Sequence, residues 1–302
     1  MTLAIRSLFS LLVLCCGCAS TFSHVALPTP PLPEHVAATL RVGTGRADIT
    51  MPPGASTFGH GPDARVAEGY WTRAYCRVFY FETDRGQKLV LVPCELAAMS
   101  LLLQREVAAR VADILHPSQL MMTAIHTHAG VAHYFGESQY TGIFSTRVPG
   151  YDERLMQAIA ERVAQAIRAA KLAARPAKLS WTHAQDFFCF TRNRDLAAYK
   201  LNSPPFVPAL PASRCKELER EDARAVDPGL DVLRIDAYDP ADPSKLVGPI
   251  GSLSFFAMHP TVVANTNRLF GGDTAGIVNR YVERALRREW LALHPELGGC
   301  GE

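Results

Sequence analysis

The chain places histidine at two points where imidazoles could act together. His126 and His128 stand two apart in Thr123-Ala-Ile-His126-Thr127-His128-Ala129-Gly130, directly after the apolar run 120–125. His259 stands in Met258-His259-Pro260-Thr261, after the apolar run 253–258. Neutral imidazole binds Zn²⁺ at about 2.0–2.1 Å, and loops leaving buried strands are where α/β proteins build sites. Histidines two apart point to one side if strand pairing persists through them. An HxH pair alone is balanced between metal chemistry and plain hydrogen bonding to backbone. A lone histidine at a strand end is usually structural. The two motifs nevertheless share one arrangement, and three convergent imidazoles would form most of a zinc site. No Cys-x-x-Cys pair occurs, so a thiolate zinc site is not expected.

Polar residues follow each motif. Asn265-Thr266-Asn267 and Gly271-Gly272-Asp273 come within fifteen residues of His259. The two glycines permit close backbone approach to a ligand, and a following helix N-terminus favours anionic oxygen. Asp273 itself reads as the helix cap. Arg194, ahead of Tyr199 and Asn202, could clamp a negative group, although a lone Arg is as readily a surface ion pair. His133 is a candidate supporting residue. His116, His183 and His294 end their elements and are read as structural.

The elements that must position these groups alternate between strand and helix. Segments 74–82 and 88–94 read as strands joined by a turn at Asp84-Arg85-Gly86. Segments 101–115, 152–175 and 273–293 carry helical apolar stripes, the second capped by Asp152 and stopped by Pro176, the third with Ile277, Tyr281, Val282, Leu286 and Trp290 inward. Segments 120–125, 178–183, 230–238 and 253–258 are strands, and 202–211 is a Pro-rich loop. The fold class is therefore α/β. A hydrophobic fraction of 48% with 20% charged residues excludes wholesale disorder. A net charge of +2 over 302 residues gives no case for a nucleic-acid partner.

The N-terminus reads as an export signal. Arg6 precedes an apolar run at 8–14 that is too short to span a bilayer. Cys15-Cys16-Gly17-Cys18 then resembles a bacterial lipoprotein signal with Cys18 as the lipidated residue; ordinary secretion is the alternative. On this reading residues 1–18 are a signal peptide, 19–40 a Pro-rich tether and 41–302 the domain, held at the cell envelope with a membrane surface as partner. Past Cys18 five cysteines remain, an odd number. Cys189 and Cys215 could bridge, and Cys94 reads as a buried thiol.

Several motifs stand in one order: 43–50 (GTGRADIT), 71–74 (WTRA), 123–130 (TAIHTHAG), 193–202 (NRDLAAYKLN), 259–267 (HPTVVANTN) and 272–276 (GDTAG). In this combination the chain resembles the N-terminal catalytic region of the neutral/alkaline, non-lysosomal ceramidase family. The resemblance implies mixed sheets packed between helix layers, incomplete at the C-terminus. It implies a zinc-dependent amidase that cuts the N-acyl bond of ceramide or a related N-acyl lipid. It assigns zinc binding to His126 and His259, and substrate contact to His128, Arg194 and, from the stretch Phe58-Gly59-His60, Gly59. His128 and Arg194 would stabilise an oxyanion or hold a fatty-acid carboxylate. The family's HTHSGPGG pattern is altered here between His126 and His133. Its remaining zinc ligands, a glutamate and a tyrosine, and its catalytic serine lie beyond the matched region. The competing expectation is therefore a non-catalytic envelope lipoprotein or an inactive fragment.

Overall fold

The computed structural model describes residues 39–185, 191–201 and 220–297. Cys18, Cys189, Cys215, Cys300 and Asn202, with the expected signal peptide and the 189–215 bridge, lie outside the described residues. Seven strands form a mixed sheet in the order β5-β4-β3-β1-β6-β7-β8. They are β1 (Leu40–Asp48), β3 (Tyr75–Thr83), β4 (Lys88–Cys94), β5 (Leu120–Ala124), β6 (Arg175–Ala184), β7 (Leu230–Asp239) and β8 (Asp242–Phe256). Two short strands, β2 (Gly69–Tyr70) and β9 (Leu269–Phe270), pair in parallel apart from it. The long helices are α1 (Leu101–Arg110), α2 (Glu153–Leu172) and α3 (Asp273–Leu293).

The sheet is joined weakly in its middle. β1 meets β6 through only two residue pairs, Arg41 with Pro176 and Val42 with Arg175. The β6–β8 part therefore folds over the β5–β1 part, and the two share a core of Val42, Phe79, Phe81, Ala177, Ile235 and Leu253. The opposite face of β5–β1 packs on α1 and α2 through Val78, Val90, Val92, Leu103, Ile159 and Val163, all fully buried. Alternation along β1 makes this layering possible. Val42 faces the second sheet part, whereas Gly43 and Gly45 face α2, where the carbonyls of Ala170 and Ala166 occupy the space a Cβ would need. Those two glycines also weaken β1 as a strand signal.

Asp152 caps α2 as the sequence predicts, accepting from the backbone of Arg154 at 2.9 Å. Four other expectations change. The first helix ends at Arg110, and His116 instead caps a following turn, its Nδ1 accepting from Ser118 N at 3.3 Å. Cys94 is not a free thiol; it stands opposite Cys76 in the β3–β4 register and forms a disulfide with it. Tyr281 is exposed on α3 rather than inward. Asp273 is not the cap of α3; that position is Gly272. Among the described residues no helix is long and apolar enough to cross a membrane.

Candidate metal centre

β5 runs parallel to β4 and stops at Ala124. The chain then turns, with His126 in the left-handed region at φ +61°. His126 and His128 thus converge because the backbone bends, not because the strand continues, which corrects the pleat argument. His126 Nδ1 bonds the carbonyl of Ala97, a contact that leaves Nε2 facing the other rings. Between them, buried Thr127 donates to the Gly271 carbonyl at 2.8 Å, and Gly271 N–H donates to Ala129 O at 3.0 Å. The HTH loop is thereby fastened to the segment that opens α3.

His259 arrives three residues past β8. Its Nε2 lies 3.1 Å from Nε2 of His128, which in turn lies 3.3 Å from Nε2 of His126. One ligand nitrogen from each of the three histidines falls within 4.8 Å of the others. Nitrogens about 2.0–2.1 Å from one tetrahedral ion sit roughly 3.3–3.4 Å apart, a separation that the two pairs made by His128 match closely. Burial, then the neighbouring His126, His60, His259 and Arg194, pushes His128 down to about 3. Burial, followed by Arg194, His126 and His60, lowers His259 as well. Both rings are therefore neutral near pH 7 and can offer lone pairs.

The other candidates resolve into two groups. Arg194 reaches the cluster, its Nη1 3.3 Å from His259 Nε2. Asn193 anchors that segment, donating to Ala225 O at 2.9 Å and accepting from Asp195 N at 2.9 Å. Gly59, at φ +105°, lies flat against the His128 ring; an added Cβ would stand 2.7 Å from its Cγ. By contrast His133 works on backbone, accepting from Ser56 N and contacting Gly150 O at 3.1 Å. Asn267 closes a local turn on Leu269. His183 pairs with Asp231 at 2.7 Å, and His294 stacks on Trp290.

Gly271 and Gly272 lie close against protein groups. Gly272 lies on the Glu95 carboxylate, where an added Cβ would be 2.6 Å from Oε2. Glu95 is fully buried and pairs with Arg77 at 2.7 Å and Arg280 at 3.2 Å. Arg77 also pairs with Glu283 at 2.6 Å, and this network ties β3 and β4 to α3. Sequence reasoning missed Glu95, because an isolated acidic residue at a strand end carries no pattern. The spacing of Gly272 and Gly276 beneath it was the available signal. The WTRA and GRADIT motifs also prove to be fasteners. Thr72 Oγ1 accepts from Gly272 N at 3.2 Å, Arg73 pairs with Asp48 at 2.6 Å, and Ala74 N donates to Thr50 Oγ1 at 2.9 Å.

Fold and site together define an α/β protein with a three-histidine candidate metal centre at one end of its sheets. Residues 40–296 match the family model described as neutral/alkaline non-lysosomal ceramidase, N-terminal, and the chain belongs to that family. It is 27% identical to the neutral ceramidase of Mycobacterium tuberculosis over 85% of this chain and 38% of that protein. It is also 27% identical to the neutral ceramidase of Oryza sativa subsp. japonica, over 80% of this chain and 28% of that protein. The solved neutral ceramidase of Pseudomonas aeruginosa superposes with a TM-score of 0.66 at 23% identity, over 84% of this chain and 37% of that one. That likeness shows the fold. The chain spans less than two fifths of the length of these relatives.

Proposed function

We propose that this domain takes part in metal-dependent hydrolysis of the N-acyl bond of ceramide or a related N-acyl lipid, releasing a fatty acid and a sphingoid base. The observation that carries the reading is the convergence of His126, His128 and His259 with Arg194 against them, in a chain of the ceramidase family. His126 and His259 would hold zinc, which when bound supplies Lewis acidity for the amide carbonyl and an acidified water, and His128 would face the substrate beside them. The chain's own groups would do the rest. Arg194 brings a fixed positive charge beside His259, where it would hold a developing oxyanion or the product carboxylate. Gly59 keeps the approach to His128 free of side chain.

We further propose that the protein is exported and tethered at the envelope by a lipid on Cys18. The buried Cys76–Cys94 disulfide supports an oxidising compartment. A tether at a membrane surface would suit a substrate that partitions into lipid.

The test is release of fatty acid from a short-chain ceramide by purified protein, zinc-loaded and chelator-stripped, with His259→Ala alongside. Turnover that needs both zinc and His259 supports the reading. Zinc-loaded protein without turnover on any N-acyl lipid overturns it in favour of a non-catalytic binding role.

A further inference from the structure

Away from the histidines, a second cavity opens where the two sheet parts diverge. β1 and β3 form one side of it, residues 249–254 of β8 the other, and α3 runs across. It holds about 450 Å³, within the usual range for a small-molecule site. None of its lining residues belongs to the candidate metal centre.

The helix explains why the space is there. Val278, Val282, Leu286 and Trp290 recur every four positions along α3 and form one ridge. Such a stripe is that of a buried face. Yet across its 21 residues α3 buries only Asp273 and Gly276, both in its first turn. The ridge lines the cleft instead, together with Ile250, and Val278 is 48% exposed.

Charge in the cleft is unevenly matched. Four arginines and a single carboxylate, Glu283, line it. Arg77 pairs with Glu283 and Glu95, and Arg46 pairs with Glu283. Arg175 and the exposed Arg287 remain. Arg175 lies with its Cζ 4.5 Å over the Trp290 ring. Burial pulls it below the ordinary arginine value, and no carboxylate among the described residues reaches it. Gly248, at φ +149°, makes room for the indole, since a Cβ there would stand 2.8 Å from Cε3. Arginine keeps its charge in such a setting, and its planar fork offers two parallel N–H groups to a carboxylate. A half-buried guanidinium held on an aromatic ring, at one end of an apolar ridge, suits an anion with an alkyl tail.

We propose that this cleft binds a free fatty acid, with its carboxylate on Arg175 and its chain along the α3 ridge. The carboxylate accepts two guanidinium N–H bonds, and the chain covers Val282 and Leu286. An inorganic anion would leave the ridge bare, and a cationic amphiphile would leave Arg175 unpaired. The inference uses no residue of the metal centre and is independent of what that centre cleaves.

The test is calorimetric titration of the full, metal-stripped chain with octanoate, decanoate, dodecanoate and dodecyltrimethylammonium, each below its micelle-forming concentration. The expected result is one dodecanoate per chain, with affinity rising about fourfold per methylene from octanoate to decanoate. Dodecyltrimethylammonium should bind at least about tenfold more weakly, and Arg175→Gln should weaken dodecanoate binding about 10–100-fold. Arg175→Gln should leave the cationic amphiphile unchanged. Absence of dodecanoate binding, or equal affinity for both amphiphiles, overturns the proposal in the wild-type protein without any variant. Trp181→Ser serves as the control on the exposed end of β6 and should bind dodecanoate normally. Loss of binding in Trp181→Ser with none in Arg175→Gln would place the fatty acid on the open sheet face, and the proposal fails. Ceramide turnover enters no readout, so failure of the amidase reading would be seen separately.

Discussion

The two faces of the β5–β1 sheet part are built differently. Toward α1 and α2, Val78, Tyr80, Val90, Val92 and Cys94 are completely buried, and glycines in β1 let α2 lie directly on the strand. Toward β6–β8 the shared core has only six buried residues, and its continuation is open. Leu179, Trp181 and Phe255 lie on the same face as Ile235 and Leu253, yet they are exposed, with Trp181 at 59%. The candidate centre straddles this contrast. His126 and His128 hang from β5 on the dense half, whereas His259 hangs from β8 on the thin one. Its geometry therefore depends on how firmly the two halves are held together, and Glu95 with Arg77 and Arg280 ties the dense half to α3, the helix that packs on β8.

The sharpest way to break the comparison is to cut that tie. Glu95→Ala leaves Arg280 without its carboxylate and Arg77 with Glu283 alone, and should lower stability by about 3 kcal/mol, read by urea unfolding; a loss below about 1 kcal/mol would show that the halves are held elsewhere. Gly43→Val drives a side chain into the Ala170 carbonyl and should cost about 3 kcal/mol. Thr44→Val, one residue along and facing the other way, should change stability by less than about 0.5 kcal/mol. Equal effects at the two positions would contradict the asymmetry. Leu253→Ala should cost about 2 kcal/mol, near the low end for a core leucine because the surrounding core is thin. It should also weaken zinc binding, since β8 carries His259.

A pH titration sharpens the same contrast without a core mutation. The folded-state pKa of His128 lies near 3, below its unfolded value of about 6.5. Below pH 6.5 the unfolded chain takes up a proton that the folded chain refuses, so stability falls as pH drops from about 6.5 toward 3. Metal-free protein should be about 2 kcal/mol less stable at pH 5 than at pH 7, from 1.36 kcal/mol per pH unit. His128→Gln should flatten that slope, and an unchanged slope would place the titration elsewhere. The smallest effect is expected at the open face: Trp181→Ser should move the unfolding midpoint by no more than about 0.5 kcal/mol. A large loss there would mean that the face is covered in solution.

Much of this was legible in the amino-acid sequence, and the misses have physical causes. The α2 and α3 stripes, the Asp152 cap and the β3–β4 hairpin follow from local periodicity and turn chemistry. β1 escaped because Gly43 and Gly45 serve helix packing, a tertiary demand that erases the strand pattern. Most of β8 escaped because Pro243, Gly248, Pro249 and Gly251 break the apolar run until 253. The three histidines were visible as motifs at strand ends. Their supports were not: Ala97 acts through a backbone carbonyl and Glu95 through burial. Asp273 reads as a cap from its place before a helix. Only its positive φ and its reach to Val263 reveal that it holds a loop.

Three non-glycine residues stand in left-handed backbone among the described residues, and they are His126, His133 and Asp273. All lie in or beside the loops of the centre. Each holds a conformation about 1–2 kcal/mol less favourable than an ordinary one, so glycine at 126 would relax the chain while deleting a ligand. Selection for a sturdier fold and selection for a working centre therefore pull in opposite directions at this position. A lineage released from the need to bind metal would be expected to drift first at position 126, toward glycine or asparagine, well before its sheets or helices showed any sign of decay.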